Sequence, residues 1–183
     1  MNRNPSRAPR VFLGLLTALA VLAAPASRAT VVSVSPADTS VTIGDVITLR
    51  VVTTAFPDLK GYQLVFGFAP TIVQLQGITA GDVLTGTGRA YSGYQVPDYV
   101  APADTAWYDA AMLDGSTAGP GVLAYLTFTA TALGTTLIDC RGVDFRDSQN
   151  AQTLPACESG VVHVLPATAV RATSWGQVKT IYR

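Results

Sequence analysis

The sequence predicts an all-β protein, a β-sandwich or jelly roll, and three observations carry that prediction. Side chains alternate with a period of two from residue 61 to residue 68, which is typical of a strand. Turn residues recur at intervals of roughly 8 to 12 positions, the spacing of sandwich strands. No stretch between residues 30 and 166 shows a convincing 3.6-residue stripe, so a parallel α/β architecture is not expected.

Runs of β-branched and aromatic residues between turn signals predict the strands in order. They cover residues 31–34, 46–54, 61–68, 71–76, 83–84, 91–96, 104–113, 122–130, 135–140, 143–145 and 160–165. Pro36 and the Gly44-Asp45 pair lie between the first and second strands, Pro70 lies between the third and fourth, and glycine-containing turns separate several of the later ones. Eleven of the twelve acidic residues are Asp, which favours turns over helix interiors and fits a loop-rich β protein.

The strand at residues 61–68 shows most clearly which side chains face a core. Its apolar face carries three aromatic rings and a leucine, namely Tyr62, Leu64, Phe66 and Phe68. Its reverse face is small, nearly flat and uncharged, with Gly61, Gln63, Val65 and Gly67. Because the apolar face needs an opposing layer, we expect the reverse face to point outward, where it could accept a partner.

The N-terminal segment is predicted to be a secretory signal peptide, residues 1–26. Arg3, Arg7 and Arg10 precede an apolar run at residues 11–24, and cleavage is expected after Ala26 or Ala29. A membrane anchor is the alternative, but a run of about 14 residues is shorter than the roughly 20 that span a bilayer. We therefore expect an exported protein, secreted or associated with the cell surface.

The remaining chain has the size of one domain, which we place at residues 30–166 and expect to be monomeric. This part holds five basic and twelve acidic side chains, a net charge of −7. Such an acidic body would repel phosphates, so nucleic acid is not expected as a partner.

Cys140 and Cys157 are the only cysteines, and in an exported chain they are expected to form a disulfide. A redox or metal pair is the alternative. Neither cysteine has a CxxC partner or a histidine at ligand spacing, so the disulfide is the favoured interpretation.

The sequence offers little catalytic chemistry. His163 is the only histidine and lies in an apolar strand, where a hydrogen-bonded structural role is expected. Asp104 and Asp109 could form the carboxylate pair of a glycoside hydrolase, but they sit among turn residues without an apolar pocket motif. The GSTAG sequence at residues 115–119 has its serine in the wrong place for a nucleophile elbow. We expect a protein that is not an enzyme.

No cofactor is expected, because no stretch matches the spacing of a calcium-binding EF-hand loop. A structural Ca²⁺ held by loop aspartates is the alternative, and solvated turn acids are the favoured interpretation. The aspartates concerned are Asp139, Asp144 and Asp147.

Three stretches together resemble a cohesin domain, the module that holds dockerin-bearing enzymes in extracellular polysaccharide-degrading assemblies. They are VSVSPADTSVTIGDVITLRV at residues 32–51, GYQLVFGFAPTIVQLQGITAGDVL at 61–84 and GVLAYLTFTATALGTT at 121–136. The resemblance implies a nine-stranded jelly-roll sandwich, related in fold to certain carbohydrate-binding modules. It also implies a secreted, non-catalytic protein that captures a dockerin-like partner.

In cohesins the partner docks on the sheet that holds the strands equivalent to residues 61–68 and 104–113. On the second of these strands Trp107 and Asp109 share one face, and Tyr108, Ala110 and Met112 share the other. We favour Trp107 and Asp109 outward, since burying an unpaired carboxylate would cost several kcal/mol.

The chain departs from the cohesin pattern at three positions. Ala69 stands where the family has an Asp, and Gly61 and Gln63 align with the Asn and Asp that cohesins commonly present for hydrogen bonding to dockerin.

Two other functions remain open at this stage. Direct binding of polysaccharide would use a stacking platform of aromatic rings chosen from Tyr91, Tyr94, Tyr99, Trp107 and Tyr108. A structural domain at the cell surface, including an adhesion domain, is the third interpretation.

The last segment, residues 167–183, is basic where the body is acidic. Trp175, Val178 and Tyr182 recur at a spacing that fits one side of a short helix. About nine residues will not hold a helix without a surface to pack on. The segment is therefore either a frayed terminus or a docking or sorting tag, and it resembles short C-terminal signatures of other exported bacterial proteins.

Overall fold

A computed structural model describes residues 29–96 and 103–167, and within those ranges the chain forms twelve strands and one short helix. The strands are β1 (Val31–Ser35), β2 (Asp38–Thr42), β3 (Val46–Thr53), β4 (Gly61–Gly67), β5 (Val73–Ala80), β6 (Tyr91–Gln95), β7 (Thr105–Met112), β8 (Gly121–Ala130), β9 (Gly134–Arg146), β10 (Gln152–Thr153), β11 (Ala156–Glu158) and β12 (Gly160–Leu165), with the helix α1 (Asp82–Thr85) after β5. No helix in the described ranges has the length and apolar character needed to cross a bilayer. The predicted signal segment and the tail beyond residue 167 lie outside the described residues.

The strands pair into two sheets. One has the order β11-β1-β3-β8-β5, and the other has the order β2-β12-β9-β4-β7-β6 with β10 added beside β9. Neighbouring strands run antiparallel except for the pairs β1 with β11 and β2 with β12. The predicted β-sandwich is confirmed, and β4 lies inside the second sheet between β9 and β7.

The core lies between the sheets, and β4 supplies its centre as predicted. Tyr62, Leu64 and Phe66 are buried, and so is Phe68 just beyond the end of the strand. The ring of Phe68 meets that of Phe128 from the opposite sheet edge to face, with the centroids 5.2 Å apart. The four side chains therefore join the two layers.

Tyr62 adds a polar link across the core. Its hydroxyl donates a 2.6 Å hydrogen bond to the carbonyl of Leu123 in β8. The same carbonyl also accepts the backbone N–H of Gly81 at 2.8 Å, so the tyrosine hydroxyl uses the second lone pair of this oxygen. Burial raises the pKa of Tyr62, and the hydroxyl stays neutral as the donor of this bond.

Several predicted elements differ from the structure. Residues 83–84 lie in α1 and not in a strand, because Oδ1 of Asp82 accepts the Val122 backbone N–H at 2.6 Å and turns the chain. Residues 135–140 and 143–145 form one strand, β9, with a register shift in the middle. The short strands β2, β10 and β11 were not predicted. The structure therefore has twelve strands, three more than the nine that the resemblance to cohesins implies.

The disulfide between Cys140 and Cys157 is present and connects the two layers. Cys140 lies in β9 of one sheet and Cys157 in β11 of the other, with their Cα atoms 6.1 Å apart. The short strand β11 otherwise pairs with β1 alone, over three residues. The covalent bond therefore holds an edge strand of one sheet against the other sheet.

Replacing both cysteines with serine is expected to lower the free energy of unfolding by about 3 kcal/mol, because the closed loop that restrains the unfolded chain is lost. Urea unfolding of the oxidised protein and of the double variant measures the difference. Reduction of the unchanged protein is the matched control and should give a similar loss. Two titratable thiols in the native protein would contradict the disulfide.

Candidate functional site

The six predicted partner-binding residues lie on the outer side of one sheet. In the pairing of β4 with β7, Gln63 stands opposite Asp109, and Val65 stands opposite Trp107. Gly61 and Gly67 occupy the two ends of the same row on β4. We call this surface the β4–β7 face, defined by Gly61, Gln63, Val65, Gly67, Trp107 and Asp109.

The orientation of β7 follows the favoured alternative. Trp107 and Asp109 are partly exposed on the outer side, whereas Tyr108, Ala110 and Met112 are buried. Oδ1 of Asp109 accepts hydrogen bonds from Nε2 of Gln63 at 3.0 Å and from Nε1 of Trp107 at 3.2 Å. These two donors fix the indole edge and satisfy Oδ1 of the carboxylate. Val65 and Trp107 stand side by side as the apolar centre of the face.

The two glycines of the face are less open than the sequence suggests. Gly61 and Gly67 are both buried, and a Cβ at Gly61 would lie 3.3 Å from the carbonyl oxygen of Ala110. Gly67 is covered by Arg141, since a Cβ there would lie 2.2 Å from Nε of that side chain. The expected flat, bare surface is therefore closed at one end by a guanidinium group.

Arg141 is a component of the site that the sequence did not reveal. It falls in β9 at the register shift, between the pairs of Val65 with Gly142 and Phe66 with Cys140. The extra residue of such a bulge is turned out of the ladder. Arg141 then crosses Gly67 and donates from Nη2 to Oδ2 of Asp104 at 2.7 Å and from Nη1 to Oγ1 of Thr105 at 2.8 Å. Three strands, β9, β4 and β7, are thereby joined on the outer side.

Arg141→Gln is expected to raise the pKa of Asp104 toward its ordinary value. The hydrogen bond from Arg141 lowers the pKa of Asp104, with Thr105 contributing, so the pair stabilises the fold above the ordinary pKa of Asp. That stabilisation is lost as the pH falls through the lower folded pKa. An NMR titration of the Asp104 carboxyl measures the shift, and the Asp58 carboxyl, whose pKa is lowered by other hydrogen bonds, serves as the control. An unchanged pKa of Asp104 would show that the pair is not formed in solution.

A groove of about 670 Å³ lies at the Gly61 end of the β4–β7 face. Its floor includes Gly61 and Ala111, two small residues that stand opposite each other in the β4 and β7 pairing. Tyr94 of β6 lines one side, and Arg146 of β9 with Asn150 of the following loop lines the other. The face therefore has a relatively apolar centre and a recess beside it.

The loop wall of the groove, residues 147–150, is held by short hydrogen bonds. Oδ1 of Asp147 accepts the backbone N–H groups of Gln149 at 2.9 Å and Ala151 at 2.7 Å. The backbone N–H and the hydroxyl of Ser148 donate to Oδ2 of Asp58, at 3.2 and 2.5 Å. The pKa of Asp58 is lowered by hydrogen bonds from Ser116 and Ser148, so this anchor is ionised at neutral pH.

The aromatic platform proposed for sugar stacking is not assembled as predicted. Tyr108 is 4% exposed and packs against Tyr62, so it belongs to the core and cannot stack on a ligand. Tyr94 pairs with the outward Asp109 and is 55% exposed, whereas Tyr91 pairs with the buried Met112 and points to the other side of β6. Tyr99 lies outside the described residues.

The residues considered for catalysis and metal binding have separate roles. His163 meets Oγ1 of Thr135 through Nδ1 at 2.9 Å and Asp38 through Nε2 at 3.3 Å, as a hydrogen-bonded structural histidine does. The three aspartates considered for Ca²⁺ do not converge: Asp139 contacts Ser159, Asp144 pairs with Arg146, and Asp147 caps its own loop. Residues 29–96 and 103–167 contain no group of three or more acidic, histidine or cysteine side chains placed to hold a metal ion.

The strand order and the two-layer core place the chain among jelly-roll β-sandwiches. The family model described as "Cohesin domain" matches residues 32–164, which is most of the chain. The chain belongs to the cohesin family. The comparison with curated proteins finds no match.

Solved cohesin structures share the fold at low sequence identity. A non-cellulosomal cohesin from the archaeon Archaeoglobus fulgidus is 14% identical with a TM-score of 0.60, covering 75% of this chain and 92% of its own. A type I cohesin–dockerin complex from Clostridium thermocellum is 13% identical with a TM-score of 0.62, covering 75% and 100%. The sixth cohesin of scaffoldin B from Acetivibrio cellulolyticus, in complex with a Cel5 dockerin mutant, is 14% identical with a TM-score of 0.61, covering 75% and 100%.

Proposed function

We propose that this protein is a secreted, non-catalytic binding module that captures a protein partner on the β4–β7 face, in extracellular polysaccharide degradation. The single observation that carries the proposal is the apolar pair Val65 and Trp107, partly exposed at the centre of that face. Membership of the cohesin family supports the kind of partner, a dockerin or a protein that presents a similar surface.

The chemistry of the face suits a protein partner. Protein interfaces commonly combine an apolar centre, often with Trp, and a polar rim. Here Gln63, Asp109 and Arg141 surround Val65 and Trp107, and the hydrogen bonds to Asp109 hold the indole in place before a partner arrives. A side chain fixed in advance loses little conformational entropy on binding, which favours affinity.

The partner need not be a component of a cellulosome. Two of the solved relatives are complexes with dockerins, whereas the archaeal relative is described as non-cellulosomal. In this chain Gly61 and Gln63 replace the Asn and Asp through which the family commonly bonds dockerin. The partner should therefore rely less on polar contacts at these two positions and more on the apolar centre.

Charge indicates what the partner surface carries. Residues 30–166 have a net charge of −7, and Asp104, Asp109 and Asp144 lie on or beside the β4–β7 face. Arg141 and Arg146 pair with two of these acids. A partner with lysine or arginine around an apolar patch is complementary, because opposite charges steer association and disfavour wrong partners.

Direct carbohydrate binding is the second candidate function, and Tyr94 is the observation that favours it. Its exposed ring lines the groove beside Gly61 and Ala111. Tyr94 and Trp107 are the two rings that the described residues place on this side, fewer than the five considered from sequence, so protein capture remains the leading function.

Capture from a panel of secreted dockerin-bearing proteins, run beside pull-down on insoluble polysaccharides, tests the proposal. We expect the immobilised protein to retain a dockerin-bearing protein and the soluble protein to stay unbound to the polysaccharides. Polysaccharide binding that is lost in Tyr94→Ala would instead support the second candidate. Retention of neither ligand class would contradict both.

A further inference from the structure

The strand β6 forms one edge of the sheet that carries the β4–β7 face, because among the described strands it pairs with β7 alone. The backbone N–H of Val96 donates to the carbonyl of Trp107, and that of Leu113 donates to the carbonyl of Ala90, both at 2.9 Å. In an antiparallel pair, hydrogen-bonded and non-hydrogen-bonded residues alternate along each strand. The even-numbered residues from 90 to 96 therefore direct their N–H and C=O groups toward β7.

The odd-numbered residues of β6 direct the same groups toward the open edge. These residues are Tyr91, Gly93 and Gln95, and their backbone groups bond no other described residue. Residues 91–94 are exposed, so another chain can approach this edge. Three donors and three acceptors in a row are a template for pairing with a further strand.

The edges formed by β5, β2 and β11 carry features that hinder such pairing. β5 has a register shift, and its Ile78 N–H donates to the side-chain Oε1 of Gln95 at 2.9 Å. β2 begins with the exposed Asp38, and its Thr42 N–H donates to Oδ2 of Asp45 at 2.9 Å. β11 has only three residues. Residues 91–95 of β6, in contrast, include no charge, no proline and no register shift, which are the usual means of protecting an edge.

We propose that the β6 edge pairs with the β6 edge of a second copy of this chain, antiparallel about a two-fold axis at Gly93. Gly93 then stands opposite Gly93 of the second copy, and Tyr91 stands opposite Gln95 of the second copy. Each of the three opposed pairs exchanges two hydrogen bonds, so the interface has six. A register shifted by two residues would leave one of the three residues without a partner in the strand. The proposal differs from the monomer expected from the size of the domain.

The edge is complementary to itself, which a two-fold interface requires. On the outer side, Ser92 of each copy lies opposite Tyr94 of the other, so a small side chain stands beside an exposed ring. At the axis Gly93 brings no side chain that could collide with its equivalent. β6 has no charged residue, so like charges do not meet in the new pair of strands.

The dimer would make the protein bivalent. The two-fold axis is perpendicular to the sheet, so the joined sheet presents both β4–β7 faces on the same side. Two linked binding faces hold a partner that carries two matching sites more strongly than one face does, without any new contact.

Cross-linking between two single-cysteine variants tests the proposed register. Ser92→Cys and Tyr94→Cys place thiols on a non-hydrogen-bonded pair, whose Cα atoms lie about 4.5 Å apart, within the range of a disulfide. Both native cysteines are already joined, so they supply no free thiol. We expect a disulfide-linked dimer on non-reducing electrophoresis when the two variants are mixed in air, and little when either is oxidised alone, because equivalent positions then lie on a diagonal of about 7–8 Å.

Sedimentation of the full chain with its disulfide intact tests the edge itself. Tyr91→Pro removes a donor that faces the edge and not β7, and should weaken dimerisation by at least about tenfold. Tyr91→Ala keeps that donor and is the matched control, which should dimerise within about threefold of the unchanged protein. Each copy carries a net charge of −7 over residues 30–166, so added salt should strengthen the dimer.

Four results would overturn the proposal. They are a protein that stays monomeric at every concentration, cross-linking of either cysteine variant alone as efficient as that of the mixture, equal dimerisation of the Tyr91→Pro and Tyr91→Ala variants, and a monomeric chain in which Tyr91→Pro weakens capture of a dockerin-bearing protein. The last result would assign the β6 edge to that partner. Far-UV circular dichroism verifies that each variant is folded.

Discussion

Replacing Phe66 with alanine is expected to lower the free energy of unfolding by about 3–5 kcal/mol, the usual range for removing a buried aromatic ring. Phe66 is fully buried at the centre of β4, in the same core cluster as Phe128 and Leu49 of the opposite sheet. Removing the ring leaves a cavity between the two sheets. Because β4 is hydrogen-bonded to β7 on one side and to β9 on the other, the backbone cannot move far enough to fill that cavity. Urea or thermal unfolding of the oxidised protein measures the loss.

Val65→Ala on the neighbouring residue is the matched control for this core variant. Val65 lies on the outer side of the same strand and is partly exposed, so its loss should cost about 1 kcal/mol or less. The two variants share a strand and differ in the face they alter. Equal destabilisation by Phe66→Ala and Val65→Ala would contradict the assignment of an inner and an outer face.

Sequence reasoning succeeded for β4 and β7 because both strands alternate strongly. Four bulky side chains on one side of β4 leave only one arrangement that keeps them from water. The orientation of β7 followed from the cost of burying Asp109, and the structure pairs that carboxylate with Gln63 and Trp107. Each prediction depended on a property of residues close together in the chain.

Features that depend on register or on distant segments were not predictable in this way. Arg141 reaches Gly67 because β9 has an extra residue opposite β4, and no local pattern marks that bulge. The groove needs the loop at residues 147–150, which Asp58 holds from a segment 90 residues earlier. The helix α1 has four residues, which is too short for a helical period to be visible in the sequence.

The aromatic residues of β6 show a second limit. Five rings between residues 91 and 108 suggested a stacking platform, but a strand sends neighbouring side chains to opposite faces. Tyr91 and Tyr94 are three positions apart, so they point to opposite sides of β6. Composition indicated aromatic surface, and only the strand register shows which ring lies on the outer side.

The double variant Gln63→Arg and Val65→Asp is expected to reduce partner capture by about 1,000-fold, or roughly 4 kcal/mol. Val65→Asp places a carboxylate beside Trp107, where a bound partner would exclude water and leave the charge without a designed partner. Gln63→Arg removes the amide that bonds Asp109 and adds a cation opposite the basic surface expected of the partner. Titration of the labelled partner against both proteins measures the loss.

The same two changes can be made on the opposite sheet as a matched control. Thr48→Arg and Val46→Asp alter two exposed positions of β3, with the same spacing and the same new charges. Capture should remain within about threefold of the unchanged protein, since surface substitutions outside an interface usually change little. If the β4–β7 variant binds normally, the partner docks elsewhere. Equal loss of binding by the β3 variant leads to the same conclusion, because the two variants carry the same net charge and differ only in which outer face was changed.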